Sequence, residues 1–186
     1  KFFKHLKKSK KISPEILART VTLTSIKPRL TILARALTGN RIEIFPAERE
    51  GGYKNNNFFL PISFAELSTK EDNLTFYLFR ILYLSVQQRL NLNWTLEEQD
   101  QPLALSQLKA FETSDDVLAI LFEEFSIDKK FHTETKQHFI QKGNEKIAPD
   151  FSWMYGKWMQ NEKEVKSDSV LENFSDKAKT ANENKP

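Results

Sequence analysis

The sequence predicts a mainly α-helical domain with a small β-hairpin packed on a buried central helix. Three observations predict it. The 186 residues include 15 Phe but only 5 Gly, a balance that favours packed helices over a turn-rich sandwich or barrel. Leu74 to Val86 is nearly all apolar, broken only by Thr75, Arg80 and Ser85, and a helix apolar on several faces belongs in a core. Upstream of it, Arg41 to Phe45 and Phe58 to Leu60 read as short strands, each closed by a proline.

The elements follow in order. Ser13-Pro14 suits a helix start, since Ser caps and Pro fits the first helical position. Ile16, Leu17, Thr20, Val21 and Leu23 keep helical spacing, and Lys27-Pro28 is expected to break or restart the helix. Leu30, Leu33, Ala34 and Leu37 form a second apolar stripe, stopped at Gly39-Asn40. Residues 47–57 read as a turn-rich polar loop, across which the two strands would pair as a hairpin lying on helices. Asp72 or Asn73 caps the central helix, about 73–91, whose Gln87-Gln88-Arg89 end is expected to reach solvent, with Trp94 packing near the exit. Leu103 to Phe111 reads as a helix. Ser114 or Asp115 begins another, with Val117, Leu118, Leu121, Phe122 and Phe125 on one face. Asp128 to Gln141 reads as a third, ending at Gly143, and Pro149 to Trp158 is an aromatic cluster.

These elements give a basic lead-in (1–11), a helical domain (12–158) with its hairpin near 41–61, and a polar flexible linker or tail (159–186). Residues 1–50 carry 12 Lys and Arg against 4 Asp and Glu, and the remainder 16 against 21. A basic front can touch anionic lipid, nucleic acid or an acidic partner, or simply be solvated. No Cys is present, which removes disulfides and thiolate chemistry and fits a cytoplasmic location. The start lacks the apolar stretch of a secretory signal, and the longest apolar run is shorter than the roughly 20 residues of a membrane span.

Chemistry-bearing patterns are sparse. His132 and His138 are six apart, not the i, i+4 spacing of two ligands on one helical face, and both are expected to face solvent; His5 sits among lysines. No G-x-S-x-G elbow and no phosphate-binding glycine loop occurs. Asp115-Asp116 and Glu123-Glu124 are adjacent acids, which point in different directions from a helix. No cofactor, metal or catalytic residue is therefore expected. A rival enzymatic reading would place a pocket under the hairpin, using Glu43, Tyr53 or Arg80. Arg80 is out of place in an apolar helix, and either meets an acid or snorkels to solvent. Two groups are candidates for interaction. Lys4, Lys7 and Lys8 interleave with Phe2, Phe3 and Leu6, as in a weak surface contact with anionic membrane; no nucleic-acid motif accompanies them. Trp153, Tyr155 and Trp158 are of the types enriched at interfaces, or else staple the C-terminal segment to the domain.

Three stretches carry a resemblance: Leu33 to Gly39 running into Arg41 to Pro46, Asn57 to Pro61, and Pro149 to Trp153 with Gly156 and Trp158. Together they resemble the N-terminal region of the NorD-type nitric oxide reductase activation proteins. The resemblance implies an accessory, chaperone-like maturation protein that works with a MoxR-type AAA+ ATPase on a membrane oxidoreductase client. Members of that family also carry a von Willebrand A domain with a D-x-S-x-S metal motif. Ser167-Asp168-Ser169-Val170 does not match that motif, so its metal function is not carried over. Strand, turn, strand and core helix also look like the scaffold of zinc peptidases, but no H-E-x-x-H is present, which would make this a degenerate version. The expected function is a non-catalytic interaction module in the cytoplasm, or at the membrane surface. The alternatives are an unrecognised enzyme and a peripheral membrane module acting through residues 1–11.

Overall fold

A computed structural model describes residues 11–98, 101–125 and 129–163. Lys4, Lys7 and Lys8, and the tail beyond residue 163, lie outside them. The fold is mainly helical with small sheets, in the order α1 (Pro14–Arg19), β1 (Val21–Thr22), α2 (Leu23–Thr38), β2 (Glu43–Ala47), β3 (Gly52–Lys54), β4 (Asn57–Pro61), β5 (Ser63–Phe64), α3 (Lys70–Arg89), α4 (Leu103–Glu112), α5 (Ser114–Glu124), α6 (Lys129–Lys142) and α7 (Ser152–Tyr155). Among the described residues no helix is long and apolar enough to cross a membrane.

α3 is the centre. Thr69 caps it, its hydroxyl accepting from the Asp72 N–H at 3.0 Å. Phe76, Tyr77, Phe79, Ile81, Tyr83, Leu84 and Val86 are all buried, so the helix is enclosed on several sides. Each such side chain contributes about 1.5–3 kcal/mol of burial. Phe64 stacks on Phe76 with centroids 3.8 Å apart, and Tyr77 donates to the Pro61 carbonyl at 2.7 Å. Asn73 is not the cap. It lies buried one turn in, accepting from the Leu67 N–H and donating to the Arg19 and Leu67 carbonyls. Gln87 is buried too, its amide N donating to the Leu92 carbonyl, so the polar end of α3 does not simply face water.

α2 presents Leu23, Ile26, Leu30 and Ala34 to the core and stops at Gly39, whose φ of 67° is the left-handed cap. Pro28 does not break it. Pro28 and Thr24 both lie on the exposed face, where the carbonyl that loses its donor meets water. The Ile16–Leu17 stripe is exposed rather than core, because the chain turns into β1 after Arg19.

The two strands read from sequence do not form a hairpin with each other. β2 runs parallel to β4, with Ile44 opposite Phe58 and Phe45 opposite Phe59. The hairpin is β3–β4, turning at Asn55 (φ 52°) and Asn56, and the sheet order is β2-β4-β3. β3, Gly-Tyr-Lys, is too short to show alternation, which hid it inside the polar stretch.

Candidate functional site

Two features stand out on α3 and the elements packed around it: a sealed arginine and an outward-facing apolar face. Arg80 is 1% exposed. Among the described residues it meets no acid, and it does not snorkel. Its Nη1 donates to the Met154 carbonyl at 2.6 Å, its guanidinium lies 5.3 Å from the Tyr83 ring centroid, and Nη2 has no hydrogen-bond acceptor among the described residues. Loss of water lowers its pKa to about 10, with Tyr83 opposing, so it remains a cation at neutral pH.

Glycines close the lid over it. A Cβ on Gly156 (φ 68°) would collide with the Gly51 carbonyl and fall 2.7 Å from Arg80 Nη2 and 2.9 Å from the Glu50 carbonyl. A Cβ on Gly52 would meet the Lys157 carbonyl at 2.7 Å. Gly51-Gly52 is thus a close-approach seam between the strand layer and the α7 exit, not merely a turn. The pocket of the rival enzymatic reading is not assembled. Glu43 is paired with Arg35 on the surface (2.9 Å), Tyr53 is buried with its hydroxyl unpartnered among the described residues, and Arg80 is sealed off. Among the described residues no three His, Asp or Glu side chains converge as metal ligands would.

His132 corrects a second expectation, since it is buried (8% exposed) rather than solvent-facing. Its Nε2 is 3.1 Å from the Tyr155 hydroxyl, and its ring packs beside Phe79 and Phe122. Burial, reinforced by Lys136 and opposed by Asp115, lowers its pKa to about 4. His138 is half-buried, with Nε2 shielded from solvent and unpartnered among the described residues. Both histidines are drawn inward because the 132, 135, 139 face is the one α6 turns to the body.

The three C-terminal aromatics do not make one surface. Trp153 lies edge-on to Phe64 beneath the Arg49 guanidinium and lines a cleft with Phe139 and Ile147. Tyr155 is buried, pushed up to about 12 mainly by loss of water. Trp158 meets Trp94 edge-on at 5.1 Å and is placed by a bond from its main-chain N–H to the Ser106 carbonyl. All three staple the C-terminal segment to the domain. The staple reaches past 158: the Asn161 side chain accepts from the Asn55 N–H, the Glu162 backbone N–H and carbonyl bond the Asn55 side chain, and Trp94 bridges to Gln160.

The outward-facing element is α4. Its buried residues are the small Ser106 and Ala110, while Leu103, Leu105 and Leu108 (49% exposed) are turned to the surface and Phe111 (44%) is part-exposed at the edge of the core. Ala104, Leu108 and Phe111, at i, i+4 and i+7, line one wall of a groove of about 380 Å³; Ala148, Phe151 and Tyr155 line the other. Phe111 stacks on Phe151 at 5.4 Å and 12°, which fixes the groove floor. Sequence reasoning assigned α4 as a helix but not its face, because apolar residues surround most of its circumference. The paired small residues Ser106 and Ala110 were the available signal.

No protein-family model, curated protein or solved structure matches the chain.

Proposed function

We propose that the domain is a non-catalytic interaction module whose α4/α7 groove docks an amphipathic segment of a partner protein. One observation carries the reading: α4 turns its large apolar side chains outward and its small ones inward. A helix of this make-up wastes apolar burial unless something covers it, and contiguous exposed apolar surface marks interaction sites. The chemistry of the occupant follows from the groove. Its walls are mainly aliphatic and aromatic, with Gln107, Asp150 and Ser152 among them, and suit i, i+3, i+4 apolar anchors. Glu112, Asp115 and Asp116, all exposed, follow the stripe at the C-terminal end of α4. The occupant is therefore a helix with an apolar face and a cationic end.

The resemblance to NorD-type activation proteins makes a MoxR-type AAA+ ATPase the partner to test, and a membrane oxidoreductase such as nitric oxide reductase its client. A pull-down of purified ATPase on the purified chain, with and without ATP, tests this. Retention that is lost in Leu108→Glu supports the reading. No retention, or equal retention by both forms, removes the groove from it.

A further inference from the structure

We infer that α6 is a detachable helix packed against Tyr155 and Phe151 behind the α4/α7 groove, held in place while His132 is neutral and released when it is protonated. The link to partner docking rests on the function proposed above; the release itself does not.

α6 is attached along one narrow seam. Of its 14 residues only His132, Thr135 and Phe139 are buried, at i, i+3 and i+7. Beside the seam Phe131 packs partly buried against the core and His138 is half-buried; the remaining faces carry mostly lysine, glutamate and glutamine, and the Lys142–Glu66 pair at the far end is a kind of contact worth little in water. The hold therefore depends on the seam, and one of its three members can acquire charge. The His132 ring sits 5.9 Å from Phe79 of α3 and 5.5 Å from Phe122 of α5, with the Tyr155 hydroxyl of α7 beside its Nε2.

The charged and titratable groups around it do not compensate a cation. Lys136, on α6, repels an imidazolium. Asp115 of α5 attracts one but forms no ion pair with it. Lys129 of α6 lies over the Phe122 ring that His132 touches, and Tyr83 of α3 and Tyr155 of α7 are held neutral by burial. A proton on His132 thus meets a desolvated, aromatic environment with no counter-charge in contact among the described residues. The depressed pKa agrees with this geometry.

The sign is fixed. Detached, His132 titrates near the ordinary value of about 6.5; docked, at about 4. The open form binds more protons between these values, so docking is fully present above the upper one and is lost as pH falls toward the lower. The seam touches the groove directly. Tyr155 and Phe151 line the groove, and Lys136 Nζ sits 5.7 Å from the Phe151 ring centroid.

Hydrogen exchange of the whole purified chain, with no partner present, tests the release. Between pH 7.5 and 5, after correction for intrinsic exchange, the opening constant of the α6 amides should rise by up to about thirtyfold, while α3 amides keep theirs. In His132→Gln the rise should vanish; in His138→Gln it should persist. An unchanged α6 opening constant in the unmutated chain, or the same rise in His132→Gln, overturns the inference. If His132→Gln leaves α6 open at every pH, the His132 ring titration in the unmutated chain decides. A midpoint below 5 supports release by protonation, and one near the ordinary value of about 6.5 overturns it. Because no partner is in the sample, failure here and failure of the docking reading are read separately.

Discussion

Arg80 and Met154 are joined by a 2.6 Å hydrogen bond from the guanidinium to the main-chain carbonyl, and this bond ties the middle of α3 to the short α7 helix 74 residues further on. The bond sets where the C-terminal segment crosses the strand layer, and with it where Phe151 and Tyr155 stand beneath α4. The groove is thereby positioned from the core outward.

A buried cation without an acid is costly, and its contribution here is positional. Arg80→Met, of similar length and without charge, should change stability by no more than about 1 kcal/mol, or raise it. Arg80→Ala should cost about 2–5 kcal/mol through the cavity it leaves. Urea denaturation of both variants measures this. A loss of more than about 3 kcal/mol in Arg80→Met would show that the charge itself is required.

Gly156 has a positive φ with an extended ψ of −140°, a backbone region that is nearly glycine-only. A Cβ there meets main-chain carbonyls, which cannot swing aside as a flexible side chain would. Gly156→Ala should cost at least about 1–3 kcal/mol, seen as a lower thermal midpoint. Gly39→Ala is the control: its φ is also positive, but no atom lies within 4 Å of its Cβ position, so only the backbone cost remains.

Asn73 holds three main-chain groups, on Leu67 and Arg19, from inside the first turns of α3. Asn73→Ala strands them away from water and should cost about 1–3 kcal/mol for the buried groups left unpaired. The Arg19 carbonyl is among them, so α1 should become more open to limited proteolysis than α4. Equal cleavage of both would contradict this local role.

Legibility differed by element for physical reasons. α3 was visible because a 13-residue apolar run has few other fates. The α2 stop at Gly39 was visible because a left-handed cap favours glycine. The parallel β2–β4 pairing was hidden because strand direction depends on β3, which is three residues long. Pro28 was misread as a break because its tolerance depends on which face of the helix meets water. The aromatics Trp153, Tyr155 and Trp158 were picked out as a group, but alternation through a four-residue helix and its exit sends them to different clefts. Arg80 was expected to meet an acid or snorkel to solvent, and His132 to face solvent. Neither does, because their polar atoms are met by a carbonyl and a phenol from α7, residues no local pattern connects to them.

On the proposed function, a partner docks on the outward apolar face of α4 through Leu108, a side chain that adds little to the fold. Leu108→Glu tests it most directly, with stability and binding to the purified AAA+ ATPase measured on the same sample. Stability should stay within about 0.5 kcal/mol, since the side chain is half-exposed. Affinity should fall at least about tenfold, the scale of losing one anchor of more than 1 kcal/mol. Unchanged affinity in a stably folded Leu108→Glu chain would contradict the account.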